Sequence, residues 1–164
     1  MKYSGYTLLE ILIVMIILSL ILAVGFDSFR DFGARQIVVN EHSRVLGDLR
    51  QAQSEASAGN KPSGCNGDLL GYDFRALSLG APAQYRIDAV CASSFVTVKT
   101  VILSDKTRFS RFPTPNPVRF RALANGTNVT AATTEFNVMH VDLEAAGQTQ
   151  SRREISISQS GEIK

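Results

Sequence analysis

The N-terminal segment, residues 1–30, constrains this chain most. From Tyr6 to Phe26 the sequence is almost entirely apolar, and Glu10 is its only charged residue. A run of about 20 apolar residues, rising about 1.5 Å per residue in a helix, matches the hydrocarbon thickness of a bilayer. We therefore predict a single membrane-spanning helix that reaches to about residue 26.

Glu10 is unexpected within such a segment. A carboxylate in hydrocarbon costs roughly 3 kcal/mol on insertion scales, and an anchor alone needs no acid. If Glu10 lies in the first helical turn, it can reach the headgroups, where the helix dipole favours a negative charge. That position explains why the acid is tolerated, but it does not explain what the acid does.

The junction before the apolar run suggests a role. Lys2 is the only charged residue of a short leader that ends at Gly5, and the run Gly5-Tyr6-Thr7-Leu8-Leu9-Glu10 follows. This run resembles the prepilin signature of type IV pilin-like proteins. The resemblance implies a leader of residues 1–5, cleavage by a prepilin peptidase between Gly5 and Tyr6, and N-methylation of Tyr6. The family usually has Phe at the new N-terminus, and Tyr6 departs from that pattern.

The resemblance also implies a filament in which N-terminal helices of many subunits bundle. Cleavage would leave a positive amine at Tyr6, which the Glu10 carboxylate of a neighbouring subunit could meet. Pairing removes much of the cost of a buried charge, so we predict that Glu10 is an assembly residue that sets register. The implied partners are other pilins or pseudopilins, the prepilin peptidase, the pilus or secretion assembly platform, and the inner membrane before assembly.

An ordinary secretory signal peptide is the alternative. Lys2 would form its basic region, and Ala23-Val24-Gly25 would form a small-residue cleavage site. Cleavage there would release a secreted β-domain that begins at Phe26. The acid inside the apolar run, and the length of that run, favour the prepilin interpretation.

The helix is predicted to continue beyond the membrane segment to residue 58. Apolar or small residues recur at steps of three and four, with Glu41 interrupting the row: Phe26, Phe29, Gly33, Ile37, Val45, Leu49, Ala52 and Ala56. The opposite, charged face includes Asp48. Gly59 and Pro62 are helix stop signals, so residues 6–58 would form one helix about 80 Å long.

Residues 59–164 are predicted to form a β-rich extracytoplasmic head domain. The pattern has a period of two, and turn signals divide it into candidate strands Leu69–Arg75, Ala83–Val90, Phe95–Leu103, Thr107–Phe112, Val118–Leu123, Glu135–Leu143 and Glu154–Ser158. Strands without intervening helices predict an α+β, pilin-like fold: a long N-terminal helix packed on two antiparallel sheets.

The order of elements resembles the GspH/FimT group of minor pilins and pseudopilins. Val118-Arg119-Phe120 followed by Asn125-Gly126, and Ile155–Ile157 followed by Ser160-Gly161, carry this resemblance. It implies a structural subunit of a type IV pilus or of a type II secretion pseudopilus. Which of these machines it serves stays open.

The two cysteines are Cys65 and Cys91. In an oxidising compartment an even count suggests one disulfide, which would contribute about 3 kcal/mol to stability in the chain-entropy model. Two free buried thiols are the alternative. The spacing of the cysteines gives no zinc motif.

No catalytic motif is present, so an enzyme is not predicted and no cofactor is implied. His140, Asp142 and Glu144 alternate, and on a strand they would share one face that could hold a metal. A solvated strand face is the favoured interpretation, and no metal site is predicted.

A basic segment suggests a second hypothesis, a minor pilin that binds DNA for uptake. Phe109, Phe112 and Phe120 are interleaved with the cations Lys99, Lys106, Arg108, Arg111, Arg119 and Arg121. Basic groups contact phosphates and aromatic rings stack on bases. Ordinary strand alternation, with Phe inward and Arg outward, is the favoured interpretation. The formal net charge of +2 gives no general attraction to nucleic acid.

Overall fold

The computed structural model describes residues 7–123, 126–148 and 151–164, and within residues 23–28 it describes the backbone only. Helix α1 (Leu8–Ala58) is followed by two antiparallel sheets and one short helix, α2 (Val141–Ala145). The predicted α+β arrangement, a long N-terminal helix packed on antiparallel sheets, is confirmed.

Local signals define both ends of α1. At its start, Thr7 is the N-cap, and its Oγ1 accepts a hydrogen bond from the Glu10 amide at 3.3 Å. At its end, Gly59 adopts the left-handed conformation at φ 67°, and its amide donates to the Ala56 carbonyl at 3.0 Å. The helix therefore ends at Ala58, where the Gly59 stop signal predicts.

All seven predicted strands form, with shifted boundaries. They are β1 (Leu69–Ser78), β2 (Gln84–Cys91), β3 (Phe95–Ile102), β4 (Thr107–Phe109), β5 (Val118–Arg121), β6 (Thr133–His140) and β7 (Arg153–Ser158). The first sheet has the order β3-β2-β1-β5, and the second has the order β4-β6-β7. Neighbouring strands are antiparallel. The C-terminal part of α1 packs against both sheets and so joins them into one head.

Aromatic rings fill the centre of the core. Phe74 on β1 lies 5.1 Å from Tyr85 on β2 and 5.7 Å from Phe136 on β6, measured between ring centroids. Phe109 on β4 meets Phe136 edge-on at 5.5 Å. Because these pairs connect strands of both sheets, the rings link the two sheets beneath the helix.

The buried face of α1 begins later than predicted. Phe29 is 78% exposed and Ile37 is 37% exposed, whereas Val38 is buried. From Val38 the sheets cover the helix, and the buried row continues through the apolar residues Val45, Leu49, Ala52 and Ala56. The predicted stripe is thus correct from Val45 to Ala56 and wrong at Phe29, Gly33 and Ile37, which precede the part of the helix that the sheets cover. The side chain of Phe26 lies outside the described residues.

Two acids lie within this buried face. Glu41 and Asp48 are 8% and 7% exposed, so the prediction that Asp48 lies on the charged outer face is wrong. The Asp48 carboxylate accepts hydrogen bonds from Tyr85 Oη and Lys99 Nζ, both at 2.6 Å. Glu41 accepts from the amide of Ser104 at 3.0 Å and from its hydroxyl at 2.5 Å. These partners offset the cost of removing the carboxylates from water.

The predicted strand Glu135–Leu143 also needs correction. β6 ends at His140, and residues 141–145 form α2. His140 is the N-cap, and its Nδ1 accepts a hydrogen bond from the Asp142 amide at 3.3 Å. His140, Asp142 and Glu144 therefore do not share a strand face.

Within the described residues, no helix offers an apolar stretch long enough to cross a membrane. The predicted span Tyr6–Phe26 extends outside that description at Tyr6 and at the side chains of 23–26.

Candidate functional site

The first turns of α1 form an apolar segment that contacts neither sheet. We use the term apolar segment for residues 8–22. All thirteen large apolar side chains in it are exposed, from 47% for Ile13 to 83% for Leu8. Exposed apolar surface of this extent marks a site of contact with protein or lipid. The segment is therefore the candidate assembly site of the molecule.

Glu10 is the only charged residue of the apolar segment. It lies in the first turn of α1, and its side chain is exposed. Ile11, Val14, Met15 and Leu18 line a shallow groove with it on one side of the helix. Any surface that covers this groove also covers a carboxylate, and a buried carboxylate requires a cation or hydrogen-bond donors.

The predicted cleavage and methylation positions, Gly5 and Tyr6, lie outside the described residues. The described residues begin at Thr7, the N-cap of the helix. Cleavage between Gly5 and Tyr6, methylation of Tyr6 and the assembly role of Glu10 therefore stay predictions.

A comparison with protein families identifies the type of signal that this segment carries. Residues 1–26 match the family model described as the prokaryotic N-terminal methylation motif. The chain carries a type IV prepilin-like signal. This signal supports a type IV pilin-like subunit, and it points to a structural role rather than an enzymatic one. No curated protein and no solved structure is significantly similar to the chain.

The head contains the predicted disulfide. Cys65, in the loop after α1, is bonded to Cys91 at the end of β2, with a sequence separation of 26. Both residues are buried. The bond attaches the loop that leaves the helix to the four-stranded sheet.

Most of the predicted DNA-binding arginines are already paired with carboxylates. Arg119 binds Asp73 through Nε and Nη2 at 2.6 and 2.9 Å, and this hydrogen bonding raises the pKa of Arg119. Arg108 pairs with Glu144 at 2.5 Å, and Arg111 pairs with Glu135 at 3.4 Å. Arg121 is exposed. Phe109 and Phe120 are buried in the core and so present no ring for stacking on bases.

The acids near His140 also have cationic partners. Asp142 pairs with Lys106 at 2.6 Å, and this hydrogen bond lowers the pKa of Asp142. Glu144 pairs with Arg108 and with Arg152. Across residues 7–123, 126–148 and 151–164, no group of three or more His, Cys, Asp or Glu side chains is arranged to hold a metal.

The structure also contains a cluster of charged side chains that the sequence analysis did not predict. It lies on the face of the four-stranded sheet opposite α1 and comprises Asp73, Arg75, Arg86, Asp88 and Arg119. Its signal in the sequence is the alternation of charged and apolar residues in Asp73-Phe74-Arg75 and Arg86-Ile87-Asp88. The juxtaposition itself requires the strand register, which the sequence pattern does not provide.

Proposed function

We propose that this protein is a minor pilin or pseudopilin, a structural subunit of a type IV pilus or of a type II secretion pseudopilus. Its precursor would be anchored at the membrane by the N-terminal segment and processed by a prepilin peptidase. The observation that carries the proposal is the methylation motif of residues 1–26, which runs directly into the exposed apolar segment.

The apolar segment exposes a large apolar area. Burying one Leu or Ile side chain contributes about 1.5–3 kcal/mol, so the apolar segment strongly favours any state in which it is covered. Packing against the same segment of other subunits would cover it in a filament. The exposed Phe29 and Phe32 extend this surface toward the head.

Glu10 would give such packing a defined register. A bundle of apolar helices alone can slide, because Leu and Ile side chains tolerate many alignments. A carboxylate on one helix and the N-terminal amine of Tyr6 on the next pair at one alignment only. Out of register, both charges are buried without a partner, which is strongly unfavourable.

For the head, we propose that it is of the GspH/FimT type. The observed arrangement, one helix against a four-stranded and a three-stranded antiparallel sheet, supports this together with the sequence resemblance. DNA uptake is not proposed as a second function, since Arg108, Arg111 and Arg119 bind carboxylates of the head itself.

The test is a Glu10→Gln substitution in the full chain, produced in cells that assemble the filament. Gln keeps the size of the side chain and removes its charge. We expect similar amounts of protein in the membrane but at least about tenfold less in the sheared filament fraction, which corresponds to a loss of ~1.4 kcal/mol or more.

The matched control is Glu162→Gln, which removes the same charge from an exposed position at the C-terminus. It should assemble like the wild type. Incorporation of the Glu10→Gln protein at the wild-type level would contradict an assembly role for Glu10. Loss of incorporation in both variants would show a general effect of charge.

A further inference from the structure

The outer face of the four-stranded sheet places like charges opposite each other. Asp73 on β1 faces Asp88 on β2, and Arg75 on β1 faces Arg86 on β2. Like charges at directly opposed positions are destabilising in an antiparallel pair. We call Asp73 and Asp88 the aspartate row, and Arg75 and Arg86 the arginine row. Each row therefore needs groups of opposite charge, or hydrogen-bond partners, to offset the repulsion.

The aspartate row is compensated within the head. Arg119, opposite Asp73 on β5, forms a two-point contact with its carboxylate. The Nε of Arg86 lies 2.9 Å from both carboxylate oxygens of Asp88, and Thr97 Oγ1 donates to Asp88 at 2.9 Å. Both aspartates are only 2% exposed, so these contacts are formed away from bulk water.

The arginine row is compensated at Arg86, through its contact with Asp88, but not at Arg75. Among the residues that the structure describes, Arg75 forms no ion pair, and its Nε is buried without a hydrogen-bond partner. Three arginines and two aspartates give the cluster a formal charge of +1. The cluster surrounds a cavity of about 230 Å³, which Val90 and Phe95 also line, and Phe95 is 66% exposed beside it.

We propose that this cavity binds a carboxylate between Arg75 and Arg86, supplied by an Asp or Glu side chain of another protein chain. Guanidinium groups bind carboxylates through two parallel hydrogen bonds, and such an anion would satisfy Arg75 while separating two like charges. The contact of Arg119 with Asp73 is an example of the same geometry in this cluster.

Charge and shape favour a carboxylate over a phosphate. A single negative charge neutralises the +1 cluster, whereas a phosphate group of charge about −1.5 to −2 leaves an excess of buried negative charge. Phe95 would contact the methylene groups that carry an acidic side chain. The proposal does not depend on filament assembly, so its failure would leave the proposed function intact.

The experiment uses the full-length protein in detergent micelles with ¹⁵N-labelled arginine, followed by NMR of the Nε–H signals. The probe is N-acetylglutamate amide, and N-acetylglutamine amide is its neutral counterpart. We expect a saturable shift of the Arg75 and Arg86 signals with the acidic probe only. Acetate should bind more weakly because it lacks the methylene groups, and inorganic phosphate at equal ionic strength should also bind more weakly.

Substitutions distinguish binding at this site from a general effect of positive charge on the head. Arg75→Gln should weaken probe binding at least about tenfold, measured on the Arg86 signal. Arg121→Gln, which removes the same charge from an exposed position on β5 outside the cavity, should leave binding within about twofold of the wild type. If Arg75→Gln does not fold, Arg75→Lys keeps the charge but loses the two-point geometry, and it should also weaken binding.

Several outcomes would overturn the proposal. They are no saturable shift, an equal shift with the neutral probe, tighter binding of phosphate than of the acidic probe, or equal weakening by Arg121→Gln. Acetate binding as tight as that of the acidic probe would contradict an acidic side chain as the occupant.

Discussion

His140 links the stability of the head to pH. It is 4% exposed where β6 meets α2, and its Nδ1 accepts a hydrogen bond from the Asp142 amide. Burial lowers the pKa of His140, Asp142 partly opposes this, and Lys106 adds to it. The unfolded chain, with an ordinary His pKa of about 6.5, therefore binds a proton more readily than the folded chain.

We predict that His140 destabilises the fold as the pH falls below about 6.5. Because the unfolded state binds more protons there, stability rises with pH and is lost on acidification. Thermal unfolding between pH 7.5 and pH 5, followed by circular dichroism, should show a smaller decrease of the midpoint for His140→Gln than for the wild type. Parallel curves for the two proteins would contradict this.

Single residues also show where sequence reasoning fails. Helical periodicity assigns Asp48 to the outer face, yet Asp48 is buried at the helix–sheet interface and accepts a hydrogen bond from Tyr85. Burial, followed by this hydrogen bond, raises the pKa of Tyr85. The partners Tyr85 and Lys99 lie on strands far along the chain. Because periodicity carries no information about them, a buried acid and an exposed one look alike in the sequence.

At the scale of elements, the disulfide stabilises the connection between α1 and the first sheet. We predict that replacing Cys65 and Cys91 by Ser lowers the free energy of unfolding by about 3 kcal/mol, because the unfolded chain regains the entropy of the closed loop. Chemical denaturation of the purified protein measures this.

A reducing agent is the control for that experiment. It should lower the stability of the wild type to that of the double variant and leave the double variant unchanged. A difference below about 1 kcal/mol between the oxidised wild type and the double variant would contradict the prediction.

The elements themselves were largely predictable. A period of two identifies all seven strands, and Gly59 identifies the end of α1. The short helix α2 was missed because five residues of alternating polarity after His140 fit a strand as well as a capped turn. The charge cluster was missed because it depends on β5 pairing with β1, a long-range register that local patterns do not specify.

At the scale of the whole molecule, α1 divides the chain into two unlike parts. Its C-terminal half is covered by both sheets from Val38 onward, whereas the apolar segment of residues 8–22 contacts neither. A helix that is packed against the sheets in one half and exposed, apolar and marked by a single acid in the other suits a subunit whose helix is fully covered only after assembly. This division, together with the methylation motif, is the basis of the proposed function.

The most direct test is the N-terminal sequence and intact mass of the protein isolated from the cells that make it. We predict a chain that begins at Tyr6, with one methyl group on its amine and Glu10 retained. A chain that begins at Phe26 would have lost Glu10 and the apolar segment. That result would contradict the pilin-like account and favour a secreted β-domain released by signal peptidase.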